Sequence, residues 1–160
     1  MTPQPNHFVI RVYGLVLNKT AQILLSDEYL FNQRMTKFPG GGLEFGEGPE
    51  DCIRREAIEE FGQEIEIIQH FYTTGFYQPA LFFENHQLLS IYYIIKFREK
   101  PLFRISEKHF DFNEINGSQS FRWASLDELT EEDLTFPVDR YVLNLLKENH
   151  RENISRWGHI

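Results

Sequence analysis

The stretch GGLEFGEGPEDCIRREAIEEFGQ, Gly41 to Gln63, decides how this chain is read. A glycine run, Pro39-Gly40-Gly41-Gly42, leads to Glu47, then to Arg55-Glu56, Glu59-Glu60 and Gly62. Pro49 suits a first helical position, Glu50 and Asp51 suit the positive end of a helix dipole, and Gly62 suits its stop. The spacing predicts a helix of about 13 residues between them. At about 100° per residue, Ile53, Ala57, Ile58 and Phe61 span one arc, and Glu56, Glu59 and Glu60 share a neighbouring one. One face packs and the other gathers acid.

Three carboxylates at i, i+3 and i+4 repel one another until an arginine or a cation neutralises them. A hard divalent ion is the natural remedy. Magnesium prefers oxygen ligands, keeps several waters and binds through a few carboxylates together with substrate phosphates, whereas zinc favours His and Cys, of which the sequence shows no cluster. The glycines let a backbone carbonyl approach the same ion.

Outward from this segment, 160 residues with 41% hydrophobic content suffice for one ordinary domain, and a single domain over residues 1–160 is expected. A net charge of −8 argues against nonspecific nucleic acid or acidic membrane as a partner, because both demand a positive field. A phosphate-rich small molecule is then received through metal ions and a few local cations. The single Cys52 excludes an internal disulfide and a CxxC zinc site. No apolar run approaches the roughly 18 residues of a membrane span, and Met1 to Asn6 carries no basic leader-like run, so cytoplasmic residence is expected.

Residues 8–17 and 22–25 flank the turn-prone Asn18-Lys19-Thr20 and read as a β-hairpin. A strand near Lys37 and Phe38 reaches the glycine loop. Residues 65–77 and 87–97 read as two further strands joined by a turn over 78–86, and 98–118 as a long loop, a common place for function. A short strand at 120–124 precedes Ser125-Leu126-Asp127-Glu128, which has the capping-box form of a helical turn. A last helix from about Pro137 to Lys147 places Val138, Tyr141, Val142, Leu145 and Leu146 on one face, and residues 150–160 read as a loose tail.

The segment 41–63 resembles the Nudix box of the Nudix (MutT-like) hydrolases, G-x5-E-x7-R-E-U-x-E-E-x-G-U with U aliphatic. The charged and glycine anchors match. Gln63 departs from an aliphatic position and Ala57 is a small occupant of the other, both of them packing positions. The resemblance implies an α/β fold, the Nudix α/β/α sandwich with a central mixed β-sheet. It also implies hydrolysis of a nucleoside diphosphate linked to another moiety with Mg²⁺ or Mn²⁺.

Carried over by position, Glu59 and Glu60 are the main metal ligands, Glu56 a ligand or the base that activates water, and the Gly40 carbonyl a further ligand. Arg55 and Glu47 hold these acids in place. Family members recruit another acid from the loop before the last strand, for which Glu114 is the candidate ahead of Glu107 and Asp111, with His109 an alternative base. Arg34 and Lys37 are candidate phosphate partners, and Phe76 and Tyr77, with Phe82 and Phe83, are candidates for stacking a base or sugar. Pro79 ranks ADP-ribose or a nucleotide sugar ahead of nucleoside triphosphates. A homodimer is a family expectation. Two other readings compete: a Nudix-fold module that senses a nucleotide without turnover, which the intact acids disfavour, and an isopentenyl diphosphate isomerase, for which Cys52 is poorly placed.

Overall fold

The computed structural model describes residues 4–152, which form two compact units. One comprises the chain up to Gly14 together with Gly40–Glu99, and the other comprises Leu15–Pro39 and the chain from Lys100 onward. The fold is mixed α/β, with two sheets and two α-helices.

In the first unit, strands β1 (His7–Leu15), β4 (Gly40–Gly42), β5 (Ile65–Thr73) and β6 (His86–Phe97) form a sheet in the order β4-β1-β6-β5. The glycine run, expected as a loop, is a strand: Tyr13, Val12 and Arg11 pair antiparallel with Gly40, Gly41 and Gly42. Gly40 has φ +148, and a β-carbon there would stand 2.1 Å from the Val12 carbonyl oxygen, so only glycine fits against β1 at this point. Gly14 is needed for a different reason, because Ile95 Cδ1 fills the volume a β-carbon would take.

Helix α1 (Pro49–Phe61) follows the predicted limits. The Gly48 amide donates to Asp51 Oδ2 at 2.9 Å, Pro49 opens the first turn, and Gly62 closes the last at φ 66 with its amide on the Ile58 carbonyl. Cys52, Ile53, Ala57 and Phe61 are buried. Ile58, expected on that face, is half-exposed. It lies beyond the arc centred on Ile53 and Ala57, whereas Cys52 on the other flank is covered.

β5 stops at Thr73 rather than Tyr77. The Thr74 amide and hydroxyl turn to the Ser90 carbonyl, and the Gly75 amide bonds the Tyr72 hydroxyl, which diverts the chain. The segment 78–86 is more than a turn, since Pro79 bridges Gln87.

The second unit holds an antiparallel sheet in the order β3-β2-β7, formed by β2 (Gln22–Leu30), β3 (Gln33–Lys37) and β7 (Ser118–Ser125). The expected hairpin survives only at its tip, where Asn18 bonds Gln22 and Leu17 bridges Ile23. Beyond the tip, β1 and β2 join different sheets. β2 runs five residues past the expected Leu25, because pairing on both edges satisfies its polar half.

At the middle of that sheet Asp27 is fully buried. It accepts from Arg122 Nε at 2.7 Å, the Thr36 hydroxyl at 2.7 Å and the Phe110 amide at 3.2 Å, which ties the long loop to the sheet. The capping box appears at Thr130 and Asp133, opening a 3-10 turn, while Ser125 begins a simple hydrogen-bonded turn. Helix α2 (Pro137–Glu152) buries Val138, Val142, Leu143 and Leu146 and extends past Lys147. Residues 150–152 of the expected tail are therefore helical, and the rest of the tail lies outside the described residues.

Candidate active site

Arg55 is the hub of the first unit's acidic cluster. Its Nε and Nη2 grip the Glu47 carboxylate at 3.0 and 2.7 Å, and Nη2 also reaches the Gly42 carbonyl at 2.9 Å. Its Nη1 contacts Glu56 Oε1 at 3.1 Å and Glu59 Oε1 at 3.2 Å, with Glu44 Oε1 at 3.7 Å. One guanidinium thus ties the end of β4, the turn after it and two turns of α1. Such forked, charge-assisted bonds fix direction as well as distance.

The electrostatics follow. The Arg55 hydrogen bonds, helped by the Glu44 amide, hold the Glu47 carboxyl down to about 2, and the Glu47 bond raises Arg55 in turn. Burial, and then the negative charge of Glu47, push the Cys52 thiol up to about 12. Its Sγ sits 3.5 Å from the Gly42 carbonyl. Cys52 therefore stands in the cluster as a neutral thiol.

Glu56 is the most covered of the helix acids in contact with Arg55, at 13% side-chain exposure against 56% for Glu59. Its carboxylate is seated on the glycine strand: a β-carbon at Gly41 would lie 2.0 Å from Glu56 Oε1 and 2.2 Å from its carboxyl carbon. Glu60, one turn on from Glu56, is partly covered.

Among the described residues no group of three or more His, Cys, Asp and Glu side chains stands assembled as a cation cage. Arg55 Nη1 stands between Glu56 and Glu59, bonded to one oxygen of each. The donors nevertheless fit a hard divalent ion. They are oxygens, they carry excess negative charge, they adjoin a carbonyl-bearing glycine strand, and the nearby sulfur stays protonated.

The remaining predicted residues lie elsewhere in their units. Phe76 and Tyr77 are exposed on the segment after β5. In the second unit Arg34 meets Glu114 at 2.5 Å and covers the Phe110 ring at 5.1 Å, so these two candidates hold each other. Lys37 is buried, 3.1 Å from Glu28. Asp111 binds Arg104 and Ser106, which with Arg104's positive charge hold its carboxyl low. His109 borders a polar cleft of about 320 Å³ with Arg122, Trp123, Glu128 and Asp133. Glu44 escaped the sequence reading. It falls in the unconstrained interval between Gly41 and Glu47, where spacing carries no signal, yet its amide bonds Glu47 Oε1 and its carboxylate faces Arg55.

The NUDIX domain family model matches residues 7–146, spanning elements of both units. The chain belongs to the Nudix family. By that membership it is a pyrophosphohydrolase of nucleoside diphosphate derivatives in the general sense. Solved structures share the fold at low identity. The E. coli ORF135 protein has TM-score 0.68 and 16% identity over 93% of this chain and 95% of that one. A NUDIX hydrolase from Nitrosomonas europaea has TM-score 0.62 and 16% identity over 93% and 90%. MutT, from a study of the Aliivibrio salmonicida and Vibrio cholerae proteins, has TM-score 0.54 and 20% identity over 89% and 98%. A comparison with curated proteins returned no match. Among the described residues no helix of this Nudix protein is long and apolar enough to cross a membrane.

Proposed function

We propose that this Nudix protein is a Mg²⁺- or Mn²⁺-dependent hydrolase of a small nucleoside diphosphate derivative, with ADP-ribose or a nucleotide sugar ahead of nucleoside triphosphates. The two units work as one catalytic domain, in the cytoplasm, and the active form is a homodimer. The observation that supports this most is the Glu56 carboxylate seated against Gly41 and tied through Arg55 to Glu47 and Glu59. It places an acid at the glycine strand, where the resemblance puts the hydrolytic centre.

Glu56, Glu59, Glu60 and the Gly40 carbonyl would hold the cation, and Glu114, paired with Arg34 in the second unit, is the further candidate acid. When bound, the ion neutralises charge on the diphosphate and makes water more acidic. Glu56 accepts the proton of the attacking water, for which its shielded position against the glycine strand prepares it. Arg55 is a positioning residue: its bonds to Glu47 and the Gly42 carbonyl hold it where it neutralises and restrains Glu56 and Glu59, a neutralisation that a bound cation would share. Glu47, fully ionised at neutral pH, keeps Arg55 in that orientation. Arg34 is the candidate partner for substrate phosphates, Lys37 being buried against Glu28, and in the first unit Phe76 and Tyr77 supply exposed faces for the base or sugar.

The test is a panel of ADP-ribose, nucleotide sugars, dinucleoside polyphosphates and nucleoside triphosphates with Mg²⁺ or Mn²⁺, following released monophosphate. One compound should turn over, and Glu56→Gln should lower kcat by ~10²–10⁴-fold, the range for loss of a general base. Tight binding without turnover of any compound would replace the hydrolase with a nucleotide sensor.

A further inference from the structure

Glu44 faces Arg55 and has no part in the reaction above. Its backbone is fixed to a neighbour in the same cluster: the Glu44 amide donates to Glu47 Oε1 at 2.8 Å, and the Glu44 carbonyl accepts from the Glu47 amide at 3.4 Å. Its side chain is not held in that way. The carboxylate is 67% exposed, and Oε1 lies 3.7 Å from Arg55 Nη1, within ion-pair range and beyond a normal hydrogen bond. Phe45 beside it is fully exposed and Gly46 turns the chain at φ +89, so Glu44 stands on an open turn.

Arg55 divides its guanidinium between two groups of acceptors. Nε and Nη2 grip Glu47 at 3.0 and 2.7 Å, with Nη2 also on the Gly42 carbonyl, whereas Nη1 meets the helix acids Glu56 and Glu59 at 3.1 and 3.2 Å. Those two acids are also among the groups that would hold a divalent cation, and the present inference rests on that reading. A guanidinium edge and a divalent ion drawn to the same pair of carboxylates repel each other. The fork on Glu47 fixes one edge of Arg55, so the partner of Nη1 is what can change. Glu44 is a third carboxylate near Nη1, and it is not one of the acids assigned to the ion.

We infer that Glu44 is a further positioning residue, the acceptor to which Arg55 Nη1 turns when Glu56 and Glu59 engage a cation. The shift is small: about 1 Å converts the present separation into a charge-assisted bond of about 2.7–2.9 Å. Rotation of the exposed Glu44 side chain supplies it while the Glu44 amide stays on Glu47. Arg55 then remains paired on both edges, and its charge presses less on the ion shared by Glu56 and Glu59. Glu44 thus raises cation affinity through Arg55, without touching the ion itself.

The experiment measures Mn²⁺ binding to the full chain without substrate, from the electron paramagnetic resonance signal of the free ion. The native protein should bind Mn²⁺, and Glu59→Gln/Glu60→Gln should weaken it at least ~10-fold, since a ligand counts for no less than its hydrogen-bond partner. Glu44→Gln should lower the affinity ~2–5-fold, the range of a solvent-exposed ion pair, and leave thermal unfolding without metal where it was. Glu44→Asp keeps the charge on a shorter arm and should bind Mn²⁺ as Glu44→Gln does. In an Arg55→Gln background, Glu44→Gln should change nothing further. Native affinity in Glu44→Gln or Glu44→Asp would overturn the proposal, as would a Glu44 effect that persists without Arg55, which would mean direct action on the ion. Should Arg55→Gln fail to fold, Glu44→Asp decides between contact and charge. Mn²⁺ binding that is absent, or indifferent to Glu59→Gln/Glu60→Gln, would instead remove the cation reading on which the inference rests, and the inference with it.

Discussion

The Glu56 carboxylate occupies the space in front of Gly41 that a side chain would need, with Oε1 only 2.0 Å from where a β-carbon would stand. Gly42, the next residue, has open space at the same point. Gly41→Ala should therefore push Glu56 off the strand, with a strain cost of about 1–3 kcal/mol and a fall in kcat of ~10²-fold. Gly42→Ala should leave both within a factor of a few. Comparing kcat and thermal unfolding of the two variants checks this, and equal behaviour would show that Glu56 does not depend on the glycine.

Arg55→Lys keeps the charge and loses the fork. An ammonium cannot bond Glu47 twice while also reaching Gly42, Glu56 and Glu59. The expected outcome is a ~10²-fold lower kcat with a small change in KM, because Glu56 is misplaced and no substrate contact is removed. Steady-state kinetics decide it, and a change confined to KM would make Arg55 a substrate-binding group.

Acid should weaken the fold through Glu47. Its carboxyl is held down to about 2 in the folded chain against an ordinary 4.5, so the folded state binds its proton more weakly than the unfolded state does. The resulting stability is present above about 4.5 and is lost as pH falls from there toward 2. Denaturant midpoints measured across this window should drop for the native protein, and less steeply for Glu47→Gln.

Asp27→Asn removes the charge that faces buried Arg122 and weakens the bonds to Thr36 and Phe110. Leaving a buried guanidinium without its counterion costs about 3–5 kcal/mol. Equilibrium denaturation should show that loss, and hydrogen exchange should rise first at the Phe110 amide. A variant as stable as the native chain would mean that water reaches Arg122 and takes over the role of Asp27.

The cluster around Arg55 was legible because most of it is local. Arg55, Glu56 and Glu59 lie on one helix, where spacing at 3.6 residues per turn settles which of them meet, and Gly41 and Glu47 come from the short strand and turn just before it. Glu44 was illegible because a turn side chain has no period to obey. The buried Asp27, Lys37 and Arg122 were illegible for another reason: polar residues in a strand read as solvent-facing until their partners, far away in sequence, are known.

By itself the sequence determined helix α1, its glycine stop, the acids on one flank and the excess of negative charge. These depend on residues a few positions apart. Only the tertiary structure decided that the glycine run is a strand paired with Arg11 to Tyr13, and that β1 and β2 leave their common turn for different sheets. It likewise decided that Arg34 holds Glu114 and that His7 stacks on His86. Each of these joins segments distant in the chain, where the choice of partner is set by which pairing buries apolar surface and satisfies backbone groups together, a competition that no single stretch of residues contains.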